Sequence, residues 1–297
     1  MNMKKILLVA NKTWEVEPLL NALVNPEFKP ASLPLPTVFN HPRKFNQGEQ
    51  YIPRVVFDID PLQIEVWCIQ DCMNPACSGS SSEEKNRIMP YIFNYSLNEL
   101  ALVIAFGTAG MVTEISENGS VCLGPNMFVH DGHPNGENPD SKWYDKRFEQ
   151  FVPSNKIPYG FFETFDKYFD DQKVSARFLS PRLNPDKTLD LLTGEDYLAL
   201  SVVNVTNYSE YKVKDKEGVE AIDKAGIDNP IVSVETTHGV IRFQSEAPFI
   251  FISAITDREG HFDKEVTPNA QAQNYTSAYN GGIASAWLLP ELPKWFA

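Results

Sequence analysis

Basic residues are in short supply in this chain: 26 Lys and Arg stand against 39 Asp and Glu, a formal net charge of −13. Nucleic-acid binding rests on clustered Lys and Arg that neutralise phosphates, and no such cluster occurs, so a polyanionic partner is disfavoured and a small molecule is expected. Cysteines are scarce as well. Cys68, Cys72, Cys77 and Cys122 are too few for a disulfide framework in 297 residues and lack the paired CxxC spacing of a zinc ribbon, which leaves buried or spectator thiols. His130, Asp131, His133, His238 and His261 are scattered without a helix-spaced pair, so no metal is expected. Long apolar runs are missing too. ILLVA after Lys4 and Lys5 is shorter than a secretory core and is followed at once by Asn11, Lys12 and Glu15, so the expectation is a cytoplasmic protein with no signal peptide and no membrane span. There is no internal repeat and no low-complexity linker, which predicts a single domain over residues 1–297.

What is present is apolar sequence in short pieces. Hydrophobic residues make up 42% of the chain, enough for an extensive core. Residues Lys5 to Ala10 predict a strand, and Glu15 to Val24 a helix with Val16, Leu19, Leu20 and Leu23 on one side. The proline-rich segment from Asn25 to Pro61 predicts loops and hairpin strands, with Val55 to Ile59 strand-like. Gln63 to Gln70 alternates as a strand, Asp71 to Lys85 reads as a mobile surface loop, and Arg87 to Leu97 as a helix. Leu100 to Phe106 predicts a buried strand running into a glycine turn, Gly107 to Gly110. Strands are expected over Val121 to Val129 and Val174 to Leu179, a surface excursion over Pro134 to Pro158, and a helix over Phe161 to Phe169. A charged helix from Lys212 to Ala225 and a final helix from Ala270 to Leu289, weakened by Gly281 and Gly282, complete the alternation. Strands alternating with helices predict a three-layer α/β/α fold with a central mixed sheet.

The segment from Pro230 to His261 sets two carboxylates at the ends of two apolar strands: Glu235 after Ile231 to Val234, and Asp257 after Phe249 to Ile255. Each has an ordinary reading, Glu235 as a helix cap and Asp257 as the start of a polar turn. However, Glu15 follows the first strand and the Gly107 to Gly110 segment another. In α/β sheets ligands bind beyond the carboxyl ends of the strands, so three acids and a glycine segment are expected to share one crevice. Buried carboxylates so close push one another's pKa up, which can keep one acid protonated while another stays ionised.

These segments resemble the purine nucleoside phosphorylase and nucleosidase superfamily, and within it the methylthioadenosine/S-adenosylhomocysteine nucleosidases. ILLVANKTWEVEPLL is similar to that group's first strand and catalytic glutamate, here Glu15; FGTAGM to its glycine segment, with Thr108, Ala109 and Gly110 binding substrate. TGEDYLAL resembles the base-stacking segment, placing that role on Tyr197. VSVETTHG resembles the ribose-binding segment, with Glu235 on the sugar and Val234 where the family has Met. FIFISAITD is similar to the strand that ends in the purine-contacting aspartate, here Asp257, and His130-Asp131 resembles a His-Asp pair near the pocket rim. The family's glycine turn after the strand at Gln63 to Gln70 is absent, and Thr236-Thr237-His238 replaces its Ala-rich continuation.

The resemblance implies an N-ribosyl hydrolase for a purine nucleoside or 5′-modified adenosine, working without metal or organic cofactor and as a homo-oligomer. Asp257 would protonate or hydrogen-bond the base, Glu15 would activate water, and Glu235 would bind the ribose hydroxyls. Two alternatives stay open. One is a phosphorylase, which Lys12 or Arg242 could serve as a phosphate-binding cation although Glu15 repels an anion; the other is a non-catalytic nucleoside-binding protein of the same fold.

Overall fold

Ile6, Leu7, Leu8, Val9 and Ala10 are all fully buried, and they alternate between two cores. In this computed structural model, residues 3–40, 51–74, 76–77, 81–112, 117–132, 150–154, 156–181, 188–205, 208–258 and 270–297 are described. Strand β1 (Lys4–Ala10) sends Ile6, Leu8 and Ala10 towards helix α1 (Thr13–Val24), where Leu19 and Leu23 meet them. Leu7 and Val9 face the other way, into a core shared with Ile88, Met89 and Ile92. A strand apolar on both faces has to be covered on both, and this one is.

The sheet grows outward from β1. Strands β2 (Val38–Phe39), β3 (Val55–Ile59) and β4 (Leu62–Cys68) add on one side, and β4 runs parallel to β1. Helices α2 (Ile69–Cys72) and α3 (Ser82–Phe93) follow, and then the long strand β5 (Glu99–Met111) on β1's other side. Beyond it come β6 (Val121–Gly124), β7 (Asn126–Asp131), β8 (Gln150–Val152), helix α4 (Phe161–Asp171), β9 (Leu191–Thr193) and β10 (Leu198–Val203). Helix α5 (Tyr208–Lys224), β11 (Ile231–Glu235), the short helix α6 (His238–Arg242), β12 (Phe249–Arg258) and helix α7 (Ala270–Leu288) complete the order used here. The twelve strands among the described residues form one mixed sheet with helices on both faces, as the strand and helix alternation predicts. Strand β5 is its junction, pairing in parallel with β1 and β12 and antiparallel with β11 through Val234 and Gly110.

Several segments differ from the sequence reading, each for a local reason. Residues 107–110 make no turn: they continue β5 and pair with β12 from Ser253 to Asp257. Pro125 lacks an N–H for the ladder and divides the expected strand into β6 and β7. Ser175–Arg177 is a 3-10 turn: Val174, where the strand was expected to begin, is already αR at φ −64° and ψ −45°. The expected loop from Asp71 to Lys85 closes with helix at both ends among its described residues. The Ser81 hydroxyl accepts from the Glu84 N–H at 3.2 Å, and the capped helix carries Lys85 fully into the interior. Most of the expected excursion over Pro134 to Pro158, together with His133 and His261, lies outside the described residues.

Candidate active site

Glu15 reaches its position because α1 starts immediately after β1. Its Oε2 accepts from the backbone N–H groups of Asn11 at 3.1 Å and Lys12 at 2.8 Å, closing the first turn of the helix. Its Oε1 crosses to β5 and accepts from the N–H and the hydroxyl of Thr108, both at 2.9 Å. A Cβ at Gly107 would lie 3.1 Å from His238 Nε2 and 3.2 Å from Glu15 Oε1. The glycine there makes room for two side chains to converge over β5. That close approach, and not a turn, is its function.

Glu235 ends β11. Its Oε2 accepts from the backbone N–H of Thr237 and, at 2.7 Å, from that of His238, which closes the turn into α6, whose N-cap is Thr237. Its Oε1 is buried without a hydrogen-bond partner. A buried carboxylate oxygen left unbonded is costly, and a ligand hydroxyl would satisfy it. The ring Nδ1 of His238 is likewise buried without a partner.

Asp257 lies near the end of β12 and is 6% exposed. The Thr256 hydroxyl donates to its Oδ1 at 2.7 Å, and the Gln273 amide of α7 donates to the Thr256 carbonyl, which ties the strand end to the helix.

These three acids line one cavity of about 190 Å³ with Thr108, Ala109, Gly110 and Val234. Seven of the eight site residues expected from sequence therefore come together. Tyr197 does not. It precedes β10, at the end of that strand away from the cavity, and lines a separate recess with Tyr159, Gly194 and Pro230. His130 and Asp131 end β7 outside the cavity lining; Asp131 accepts from the Asn204 amide at 2.9 Å. Arg242 also stays away, donating to the Ser245 carbonyl at 2.8 Å and the Pro153 carbonyl at 3.3 Å, which removes it as a phosphate ligand.

Several lining residues were not anticipated: Trp14, Phe106, Tyr211, Asp215, His238 and Asn274. Tyr211 and Asp215 come from α5, whose charged sequence signals a solvated face. Strand polarity was the usable signal, because the segment that follows β10, and not the one before it, returns to the strands' carboxyl ends. Lys12 also lines the cavity, and burial pushes its ammonium pKa down against the pull of Glu15. Among the described residues, no group of three or more His, Cys, Asp or Glu could hold a metal ion, and no helix is long and apolar enough to cross a membrane.

A mixed sheet covered on both faces, with a cavity at the carboxyl ends of its strands, is a fold this chain shares with solved nucleosidase structures. In particular, the chain is similar to the 5′-methylthioadenosine nucleosidase of Arabidopsis thaliana in apo form, with a TM-score of 0.57 and 14% identity over 97% of this chain and 96% of that one. It is similar to the S-adenosylhomocysteine nucleosidase of Streptococcus pyogenes in complex with 5-methylthiotubericidin, with a TM-score of 0.53 and 13% identity over 99% of both chains. It also resembles the 5′-methylthioadenosine/S-adenosylhomocysteine nucleosidase of Neisseria meningitidis in complex with methylthio-immucillin-A, with a TM-score of 0.53, 14% identity, and coverage of 98% of this chain and 100% of that one. No family model and no curated protein sequence matches the chain. At these identities the likeness is one of fold.

Proposed function

We propose that the protein hydrolyses the N-glycosidic bond of a purine nucleoside or a 5′-modified adenosine. The observation that carries this reading is the unpartnered Oε1 of Glu235, buried in the wall of a cavity that also holds Glu15 and Asp257. A ribose hydroxyl supplies the missing donor. With the sugar held there, Asp257 donates to N7 of the base as the bond from C1′ to N9 breaks and its electron pair passes to the purine. Water adds to C1′ and yields its proton to Glu15. Both carboxylates favour the cation-like ribosyl group that forms between these events.

Glu15 already receives four donors, as many as a carboxylate has lone-pair sites. Three are backbone N–H groups fixed by α1 and β5. The fourth, the Thr108 hydroxyl, can rotate, so water takes its place on Oε1 while Thr108 turns to the water oxygen.

Lys12 in the cavity wall favours phosphorolysis as a second reading, since a cation beside C1′ would serve a phosphate. Incubation with a panel of purine nucleosides, with and without phosphate, tests both. Free ribose in phosphate-free buffer is the expected product. Ribose 1-phosphate formed only with phosphate would overturn hydrolysis, and tight binding without turnover would make the protein a nucleoside-binding one.

A further inference from the structure

Lys85 has no part in the chemistry above, yet it occupies an expensive position. It lies in the first turn of α3 and is fully buried. Moving an ammonium out of water costs several kcal/mol, and an apolar side chain of similar size would avoid that. Burial pushes its pKa down to about 7; Lys12 pushes the same way, while Glu235 and Glu15 oppose it. All three of those charged groups line the cavity, whereas Lys85 itself does not.

The hydrogen bond of its ammonium shows what it holds. Lys85 Nζ donates to Thr237 Oγ1 at 2.8 Å. Thr237 is the middle of the turn whose N–H groups grip Glu235 Oε2, so Lys85 pins that turn to α3 from outside the cavity. The anchor itself is firm, because the Ser82 hydroxyl beside it accepts from the backbone N–H of Asn204 at 3.0 Å, joining α3 to the end of β10. Asn86 and Gln244 add a bond of 2.8 Å between α3 and the residues after α6.

We propose that Lys85 is a positioning residue for sugar recognition: by holding Thr237 it fixes the turn that presents Glu235 Oε1 to the ribose hydroxyls, and its charge offsets the facing carboxylates Glu15 and Glu235. This rests on the nucleoside reading of the cavity. It separates two properties that a purely structural lysine would keep together. Replacing Lys85 removes a buried charge and does not loosen the fold, but it costs the protein its grip on a hydroxylated sugar.

Calorimetric affinities of adenosine and 2′,3′-dideoxyadenosine, for wild type and Lys85→Met each carrying Glu15→Gln so that substrate is not consumed, read this, with turnover by the unaltered protein measured separately. Wild type is expected to prefer adenosine by at least about tenfold, the scale of one hydrogen bond to a charged group. In Lys85→Met, adenosine affinity should fall about tenfold and dideoxyadenosine affinity change little, with Tm equal or higher. Thr237→Val, which keeps the shape and removes the acceptor, should show the same selective loss, and it decides the matter if Lys85→Met does not fold. An unchanged affinity ratio in the variants, or an equal loss for both compounds with a lowered Tm, overturns the proposal. A wild type that discriminates between the compounds but turns neither over refutes the hydrolase reading and leaves Lys85 in its role; one that binds neither refutes the nucleoside reading and the proposal with it.

Discussion

Asp257 and Lys85 are both buried polar groups, but burial serves them differently. Asp257 faces the cavity with Thr256 on one oxygen, so Asp257→Asn keeps its shape and removes a proton donor. Purine nucleoside cleavage should fall by about two orders of magnitude, and by much less for a nitrophenyl riboside, whose leaving group needs no proton. Steady-state rates on both substrates check this, and an equal loss would make Asp257 a structural residue. Lys85 gives a prediction about stability. Its pKa is about 7 when folded, against 10.5 for an ordinary lysine, so between those values the unfolded chain binds more protons. Stability from this group therefore rises as pH climbs from about 7 towards 10.5, and the full burial penalty applies below 7. Lys85→Met should be more stable than wild type at pH 6, on the order of 1–4 kcal/mol, with the difference shrinking by pH 9. Urea unfolding at the two pH values measures it.

At the scale of elements, the acid on α1 depends on how closely α1 lies against α7. A Cβ at Gly282 would fall 2.8 Å from Ala22 Cβ and 2.9 Å from Leu19 Cα, distances that force the helices apart. The glycine that weakens α7 as a helix is thus what lets it pack. Gly282→Ala should lower stability by about 1–3 kcal/mol, read as a lower Tm, and should lower turnover further because α1 carries Glu15. Gly107→Ala acts the other way round. Its added methyl meets His238 Nε2 and Glu15 Oε1, ends of side chains, so activity should drop well before Tm does. Glu15→Gln also separates hydrolysis from phosphorolysis. Hydrolysis should be abolished with nucleoside affinity largely kept, whereas phosphate-dependent cleavage surviving in the variant would promote the phosphorylase.

Across the whole molecule, the thiols report on integrity. Cys68, Cys72 and Cys122 are buried and only Cys77 is exposed; burial pushes Cys72 and Cys122 up to about 12. One thiol should react with an aromatic disulfide reagent in the native protein and four after unfolding, and fast reaction of all four under native conditions would contradict the fold. The sheet and the acids were legible in the sequence because apolar runs announce buried strands, and polar residues at their ends are few. Tyr197 was misplaced since a short motif carries no direction: it sits at the start of β10, and the cavity lies at the other end. Lys85 was illegible because Ser and Glu around it suggest solvent, and its burial comes from tertiary packing of α3, including its docking against α6. The junction at β5 has one more implication. Its partners β1, β11 and β12 enter the chain in that order, and Asp257 is delivered last. Neither half of the chain holds the whole site, since Glu15 and Thr108 come from one and Glu235 and Asp257 from the other, so a nucleoside has no complete site to grasp until β12 docks. Added during refolding it should leave the folding rate unchanged, and its whole effect should appear as slower unfolding of the finished molecule.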